Sequence, residues 1–131
     1  MNPADQSLIQ WANTHLPESL QITDPNGHLC TGLALLRLAE SIRGRASSPP
    51  VPDSAFPTDM QDDKLDGLFR FFDFLLDNDV KMGSVSINDV RLGKRDKIIQ
   101  LLKALKAWEE KRQALALSIA TPGAFMTPTA A

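Results

Sequence analysis

The sequence predicts an all-α fold of four main helices with two or three short helices between them. Apolar residues recur three and four positions apart in four separate stretches, which is the spacing of a helix that packs along one side. Segments rich in glycine, proline and turn-forming polar residues divide these stretches. No stretch alternates between apolar and polar residues as a half-buried strand does, so we expect no sheet.

The first predicted helix is short and ends before Pro17. Its apolar residues follow helical spacing: Leu8, Ile9, Trp11, Ala12 and Leu16. Either Asn2 or Asp5 can cap its start, and Pro3 suits the first turn because backbone N–H groups there have no intrahelical acceptor. The residues at 24–27 are then typical of a turn.

The second predicted helix covers residues 31–43 and is apolar around most of its circumference. Its apolar residues are Leu33, Leu35, Leu36, Leu38, Ala39 and Ile42. Such a helix is normally buried by neighbours on more than one side, which leaves Arg37 and Glu40 to face water. Residues 44–60 are rich in glycine, serine and proline and predict a surface loop, whose length is typical of a mobile or functional segment.

The third predicted helix has the clearest periodicity and stops after Asn78. Its stripe consists of Leu65, Leu68, Phe69, Phe72, Leu75 and Leu76, and Phe71 and Phe74 widen it. Asp62 or Asp63 can serve as the N-cap. A short linking segment follows, in which we expect Val85, Ile87, Val90 and Leu92 to point inward.

The last predicted helix covers residues 94–117. Its buried stripe consists of Ile98, Leu101, Leu102, Leu105 and Trp108. Residues 119–131 have no periodicity and are predicted to be a disordered tail or linker, in which Thr121 and Thr127 precede prolines as in phosphorylation sites. We therefore expect one domain over residues 1–118, as the N-terminal part of a larger multidomain protein.

The charge is unevenly distributed along the chain. The 131 residues carry a net charge of −2, but residues 1–90 hold 13 acids and 6 bases, a net −7, and residues 91–131 hold 3 acids and 8 bases, a net +5. Such polarity can orient a partner, or it can reflect two solvated faces. The small overall charge does not favour nucleic acid or an anionic membrane as a partner.

No motif for catalysis, metal binding or cofactor binding is present. Cys30, His15 and His28 are too few for a metal site, and no glycine-rich phosphate loop follows a strand. Asp66 and Asp73 share a face of the third helix, but that face lies opposite the apolar stripe, where solvated acids are ordinary. We expect no enzyme and no cofactor. The absence of a secretory signal and of a membrane-spanning apolar run predicts a cytoplasmic location.

Five segments, in order and at the right spacing, resemble the calponin-homology domain family. They are the residues at 8–16, which match "L-x-x-W-x-N-x-x-L", and the residues at 31–38, 64–76, 80–82 and 87–94. The chain departs from the family pattern at Thr31, where an acid is usual, at Gly67 and Lys94, where asparagine is usual, and at Lys103, where an aromatic is usual. It resembles single or parvin-like members more than tandem actin-binding pairs.

The resemblance implies a compact calponin-homology bundle and a non-catalytic cytoskeletal module. Members bind F-actin, microtubules or short helical peptides, and the first and last helices contribute to the actin face. Carried to this chain, the partner-binding residues are Gln6, Gln10, Lys94, Arg95, Lys97, Gln100, Lys103 and Lys106. A helical wheel places Gln100, Lys103 and Ala107 on the outward face of the last helix.

Three partners are compatible with this resemblance. The first is F-actin or an actin-associated protein, with the cytoskeleton as location. The second is a helical peptide docked between the first and last helices, as in a parvin-like adaptor. The third is the microtubule, favoured by the basic last third of the chain, since both polymers are acidic.

Overall fold

The computed structural model describes residues 3–22, 32–57 and 64–120, with side chains up to 117. These residues form five α-helices, two single-turn 3₁₀ helices and no strand, which confirms the all-α prediction. The elements are α1 (Pro3–Thr14), a 3₁₀ turn (Glu18–Leu20), α2 (Leu33–Arg43), a 3₁₀ turn (Asp53–Ala55), α3 (Asp66–Asp77), α4 (Ile87–Arg91) and α5 (Arg95–Ala120). Apolar side chains from the four longer helices and from the loop between α2 and α3 form one hydrophobic core.

Helix α1 starts at Pro3 and buries Leu8, Ile9 and Ala12. Asp5 lies inside the helix, so it is not the N-cap, and the alternative cap Asn2 and the turn predicted at 24–27 lie outside the described residues. The segment that follows α1 is held by the side chain of Asn13, near the end of the helix. The side-chain amide of Asn13 donates to the Ile22 carbonyl at 3.0 Å, and its carbonyl oxygen accepts from the Ile22 N–H at 2.7 Å.

Helix α2 is buried on several sides, as its composition predicts. The buried residues are Ala34, Leu35, Leu36, Leu38, Ala39 and Glu40. Gly32 is the N-cap residue of the helix, and its φ of 77° lies in the left-handed region. A Cβ at Gly32 would lie 2.2 Å from Leu68 Cδ2, so glycine here also lets α3 approach the start of α2. The interpretation of Glu40 as solvent-facing is wrong, because its side chain is only about 9 % exposed.

Helix α3 buries part of its predicted stripe, but the buried face is rotated toward Phe71 and Phe74 and leaves Phe69 and Leu76 exposed. Phe71 and Phe74 are buried together with Leu68, Phe72 and Leu75, whereas Phe69 is 52 % and Leu76 is 67 % exposed. The helix has more apolar residues than one face can hold, and its neighbours cover the side that carries Leu68, Phe71 and Leu75. The prediction that Asp66 and Asp73 lie opposite the whole apolar stripe is wrong, because Phe69 and Leu76 share their exposed side of the helix. Leu65 occupies the N-cap position without a side-chain hydrogen bond, and the predicted caps at 62 and 63 lie outside the described residues.

A capping box fixes the short helix α4. The Ser86 hydroxyl accepts from the Asp89 N–H at 3.2 Å, and the Asp89 carboxylate accepts from the Ser86 N–H at 3.0 Å. The hydrogen bond from the Ser86 backbone N–H, helped by the Ser86 hydroxyl and by Lys94, lowers the pKa of Asp89 below its ordinary value against the opposing effect of burial. Val85 and Val90 point inward as predicted, but Leu92 is exposed.

Helix α5 is the longest element and runs past the predicted domain boundary at 118 to Ala120. Its predicted stripe of Ile98, Leu101, Leu102, Leu105 and Trp108 is buried. The predicted tail beyond 120, with Thr121 and Thr127, lies outside the described residues. From Glu110 to Leu117 the side chains are exposed, so the last part of α5 extends beyond the core.

Candidate partner-binding surface

Helices α1 and α5 contact each other, and two polar contacts link them in the same order along both helices. Near their starts, Arg95 Nη2 lies 3.2 Å from the Asp5 carboxylate. Further along both helices, the Trp11 indole N–H donates to Glu109 Oε1 at 2.8 Å. The exposed sides of α1 and α5 therefore lie beside a shared helix–helix contact.

Glu109 and His15 form a polar cluster at this contact that also reaches α2. The second carboxylate oxygen of Glu109 pairs with Nε2 of His15, so both of its oxygens have partners from α1 or the residue that follows it. The other ring nitrogen of His15 lies 3.0 Å from the Ser41 hydroxyl on α2. The rings of Trp11 and His15 pack edge to face, with centroids 5.6 Å apart. This cluster fixes the relative position of α1 and α5 through directional contacts as well as through the core.

Exposed residues of the predicted site lie on both helices. Gln6 and Gln10 are exposed on α1, and Lys103 is exposed on the outer side of α5 together with Ala107. Lys103 has no hydrogen bond or ion pair within the described part of the chain. The same outer side of α5 also carries Asp96, so this surface is of mixed charge rather than purely basic.

Three predicted site residues are tied to neighbouring elements. Arg95 pairs with Asp5, and Lys97 Nζ donates to the Ser84 hydroxyl at 2.9 Å. Gln100 is half-buried and donates to the Met82 carbonyl at 3.1 Å. The placement of Gln100 on the outward face is therefore wrong. The turn that follows α3 packs along this side of α5, and a helical wheel of α5 alone contains no information about that contact.

The remaining two predicted bases make ion pairs, one with a buried carboxylate and one with an exposed carboxylate. Lys94 Nζ lies 3.3 Å from the Asp89 carboxylate, and Lys106 Nζ lies 3.3 Å from that of Glu110 one turn further along α5. The Lys106–Glu110 pair is exposed, and such a pair contributes at most about 1 kcal/mol to stability, so Lys106 can exchange it for a contact with a partner at small cost. Lys94 is held more firmly, because its partner Asp89 is only about 11 % exposed and also forms the capping box of α4.

The loop between α2 and α3 is held by a network around Arg37. Its guanidinium donates to Glu40 at 2.8 Å, to the Val51 carbonyl at 2.7 Å and to Asp53 at 2.7 Å. The other oxygen of Glu40 accepts from the Ser47 N–H at 3.0 Å. Burial raises the pKa of Glu40, but the hydrogen bonds from Arg37 and Ser47 outweigh it and leave the pKa below its ordinary value. The described part of this loop is thus anchored to α2.

We expect Glu40→Gln to lower the free energy of unfolding at neutral pH by about 1–2 kcal/mol, because it removes a charged hydrogen-bond acceptor from a buried position. The folded-state pKa of Glu40 is lowered, so its contribution is complete above the unfolded-state pKa of about 4.5 and is lost as the pH falls through the folded-state value. Urea unfolding of both proteins at pH 7 and in acid tests this. A stability difference that stays constant with pH contradicts it.

Two surface depressions lie along α3, where the sequence predicted no site. One, of about 460 Å³, is largely apolar and is lined by Val51, Pro52, Ala55, Asp66, Phe69 and Arg70. The other, of about 200 Å³, is more polar, and its lining includes Arg43, Asp73 and Asp77. Arg70 lines both depressions and donates to the Pro49 carbonyl. The surplus of apolar residues in α3 was the one sequence signal of this surface.

Within the described ranges, no three histidine, cysteine, aspartate or glutamate side chains are placed to hold a metal ion. No helix among these residues combines the length and apolar character needed to cross a bilayer. Comparison with known proteins finds no matching family model, no matching curated protein and no matching solved structure.

Proposed function

We propose that this chain is a non-catalytic cytoskeletal binding module of the calponin-homology type, and that its partner is the actin filament. The proposal rests on the five ordered segments that resemble this family and on the contact between α1 and α5. In the resembled family, the first and last helices contribute to the actin face.

The observation that carries the proposal is the packing of α1 against α5, which Asp5–Arg95 and Trp11–Glu109 link. Gln6 and Gln10 are exposed on one of these helices and Lys103 on the other. Lys103 is free of internal contacts within the described residues, so it can pair with an acidic partner without losing an existing interaction. Lys106, half-buried and three residues further along, adds a second positive charge. An acidic filament surface attracts such a site, and salt weakens the attraction.

Reversing the two charges, with Lys103→Glu plus Lys106→Glu, is expected to weaken binding to F-actin by about tenfold or more, since like charges across an interface cost several kcal/mol. Cosedimentation with F-actin at low and at moderate salt measures the effect. Because both lysines are outside the core, far-UV circular dichroism of the variant should match that of the parent.

The matched control is Arg45→Glu plus Lys64→Glu, which changes the net charge equally. Arg45 is exposed in the loop after α2, and Lys64 is exposed just before α3, so neither lies on α1 or α5. This control should bind filaments almost as well as the parent. Equal losses of filament affinity in both variants would mean that the binding is non-specific charge attraction. That result would contradict the assignment of the site to α1 and α5.

The same assay separates the other two partners. If the chain pellets with microtubules but not with F-actin, the microtubule is its partner and the actin proposal is wrong. Binding to neither polymer favours the adaptor hypothesis, in which a helical peptide docks on α1 and α5, and chemical-shift perturbation near Leu8 and along α5 would then identify the site.

A further inference from the structure

The outer face of α3 is an exposed surface of alternating charge and apolar character. It consists of Asp66, Phe69, Asp73 and Leu76, which follow one another at helical spacing and are all exposed. We name these four residues the α3 face. Beside Phe69 lies the apolar depression of about 460 Å³, and Asp77 adds a further acid at the end of the helix. A partner for this face needs an apolar side chain and a positive charge.

The exposed end of α5 carries both features. The buried stripe that includes Leu105 and Trp108 continues at the same spacing to Arg112 and Leu115, but Leu115 is 55 % exposed. Arg112 stacks on the Trp108 ring, 5.4 Å from its centroid, and donates to the Arg43 carbonyl at 3.1 Å. Lys111 is exposed one turn before Leu115. We name the residues at 110–117 the α5 extension.

We propose that the α3 face of one copy binds the α5 extension of a second copy. Phe69 and Asp73 are four residues apart, and so are Leu115 and Lys111, which gives each apolar–charged pair a separation of about 6 Å along its helix. With the two helices antiparallel, Leu115 lies against Phe69 and its depression, and Lys111 lies opposite Asp73. The contact joins the acidic part of the chain to its basic part.

A second copy is the occupant because the extension cannot reach its own α3 face. Trp108, which precedes the extension, packs edge to face on Phe74, with ring centroids 6.0 Å apart. Phe74 is buried on the opposite side of α3 from Phe69 and Leu76, which are exposed. A continuous helix cannot turn back around α3. In a two-fold dimer each copy both donates an extension and receives one, so the assembly closes.

Sedimentation velocity of the full chain over a range of concentrations tests this. We expect a dimer that forms with rising concentration and weakens with rising salt. Asp73→Lys and Lys111→Glu should each raise the dimer Kd by about tenfold or more, because each places like charges together at both contacts. An equimolar mixture of the two variants should dimerise again, because positions 73 and 111 then carry opposite charges at both contacts of the mixed dimer.

Leu115→Ser tests the apolar part of the contact, and Lys103→Glu is the control. The serine variant should be monomeric at concentrations where the parent dimerises. Lys103→Glu, a change on α5 outside the extension, should leave dimerisation unchanged while affecting filament binding, so the two proposals can fail separately. A parent chain that stays monomeric at all concentrations, or a charge-swapped mixture that does not associate, overturns the proposal.

Discussion

Phe56→Ala is expected to lower the free energy of unfolding by about 4 kcal/mol, as expected for a fully buried phenylalanine in a well-packed core. Phe56 is only 2 % exposed and directly follows the 3₁₀ turn Asp53–Ala55, within the loop between α2 and α3. Its ring lies over Gly67 at the start of α3, and one ring carbon is 3.5 Å from the position of a Cβ at Gly32. The ring therefore joins the loop to the first turns of two helices, and its removal leaves a cavity between them.

Phe69→Ala is the matched control, because it removes the same phenyl ring from an exposed position on α3. Phe69 is half-exposed, so we expect a loss below about 1 kcal/mol. Urea unfolding followed by circular dichroism measures both variants. Similar losses at the two positions would contradict the assignment of Phe56 to the core and of Phe69 to the surface.

Gly67→Ala is expected to destabilise the domain by about 2–3 kcal/mol, although alanine is the better helix former. Gly67 is buried in the first turn of α3. A Cβ there would lie 2.7 to 2.8 Å from three ring carbons of Phe56, and a buried ring cannot move aside as the end of a flexible side chain can. The added methyl group forces α3 away from the loop.

The sign of this effect should reverse when the ring is absent. In a Phe56→Ala background, Gly67→Ala no longer meets the ring, and the helix propensity of alanine should stabilise the protein by up to about 1 kcal/mol. The four proteins form a double-mutant cycle, measured by urea unfolding. Additive effects at positions 56 and 67 would show that the ring is not the reason for the glycine.

Gly67 also shows what sequence comparison alone leaves open. It stands where the resembled family has asparagine, and the structure supplies a physical reason for the difference, because Phe56 fills the space that a side chain at 67 would use. Phe56 is eleven residues away in a loop without periodicity, so no local pattern connects the two residues. The pairing depends on tertiary packing.

The helices themselves were predictable because their periodicity is local. The buried stripe of α5 from Ile98 to Trp108 follows from spacing alone. Which side of α3 is buried was not predictable, since an apolar surplus leaves two faces that satisfy the pattern. Glu40 was misplaced because a charge on an apolar helix is normally assigned to solvent, and Arg37 and Ser47 are what make its burial favourable.

For the candidate site, the family resemblance assigns the partner-binding residues to the first and last helices, which stays a prediction, and it contains no information about the state of each side chain. Gln6, Gln10 and Lys103 are exposed as expected. Gln100 and Lys97 are held by the turn between α3 and α4, through Met82 and Ser84. Such contacts join residues 13 to 18 positions apart, and a wheel drawn for one helix cannot include them.

The pairing of Trp11 with Glu109 has a consequence for the order of folding. These residues are 98 positions apart, so α1 acquires this partner only after nearly all of the described chain has been synthesised. Long sequence separation between contacting residues slows folding, because the intervening chain must first be ordered. During synthesis on the ribosome, the apolar side of α1 therefore lacks the packing of α5 until α5 has emerged. In that interval it is accessible to chaperones.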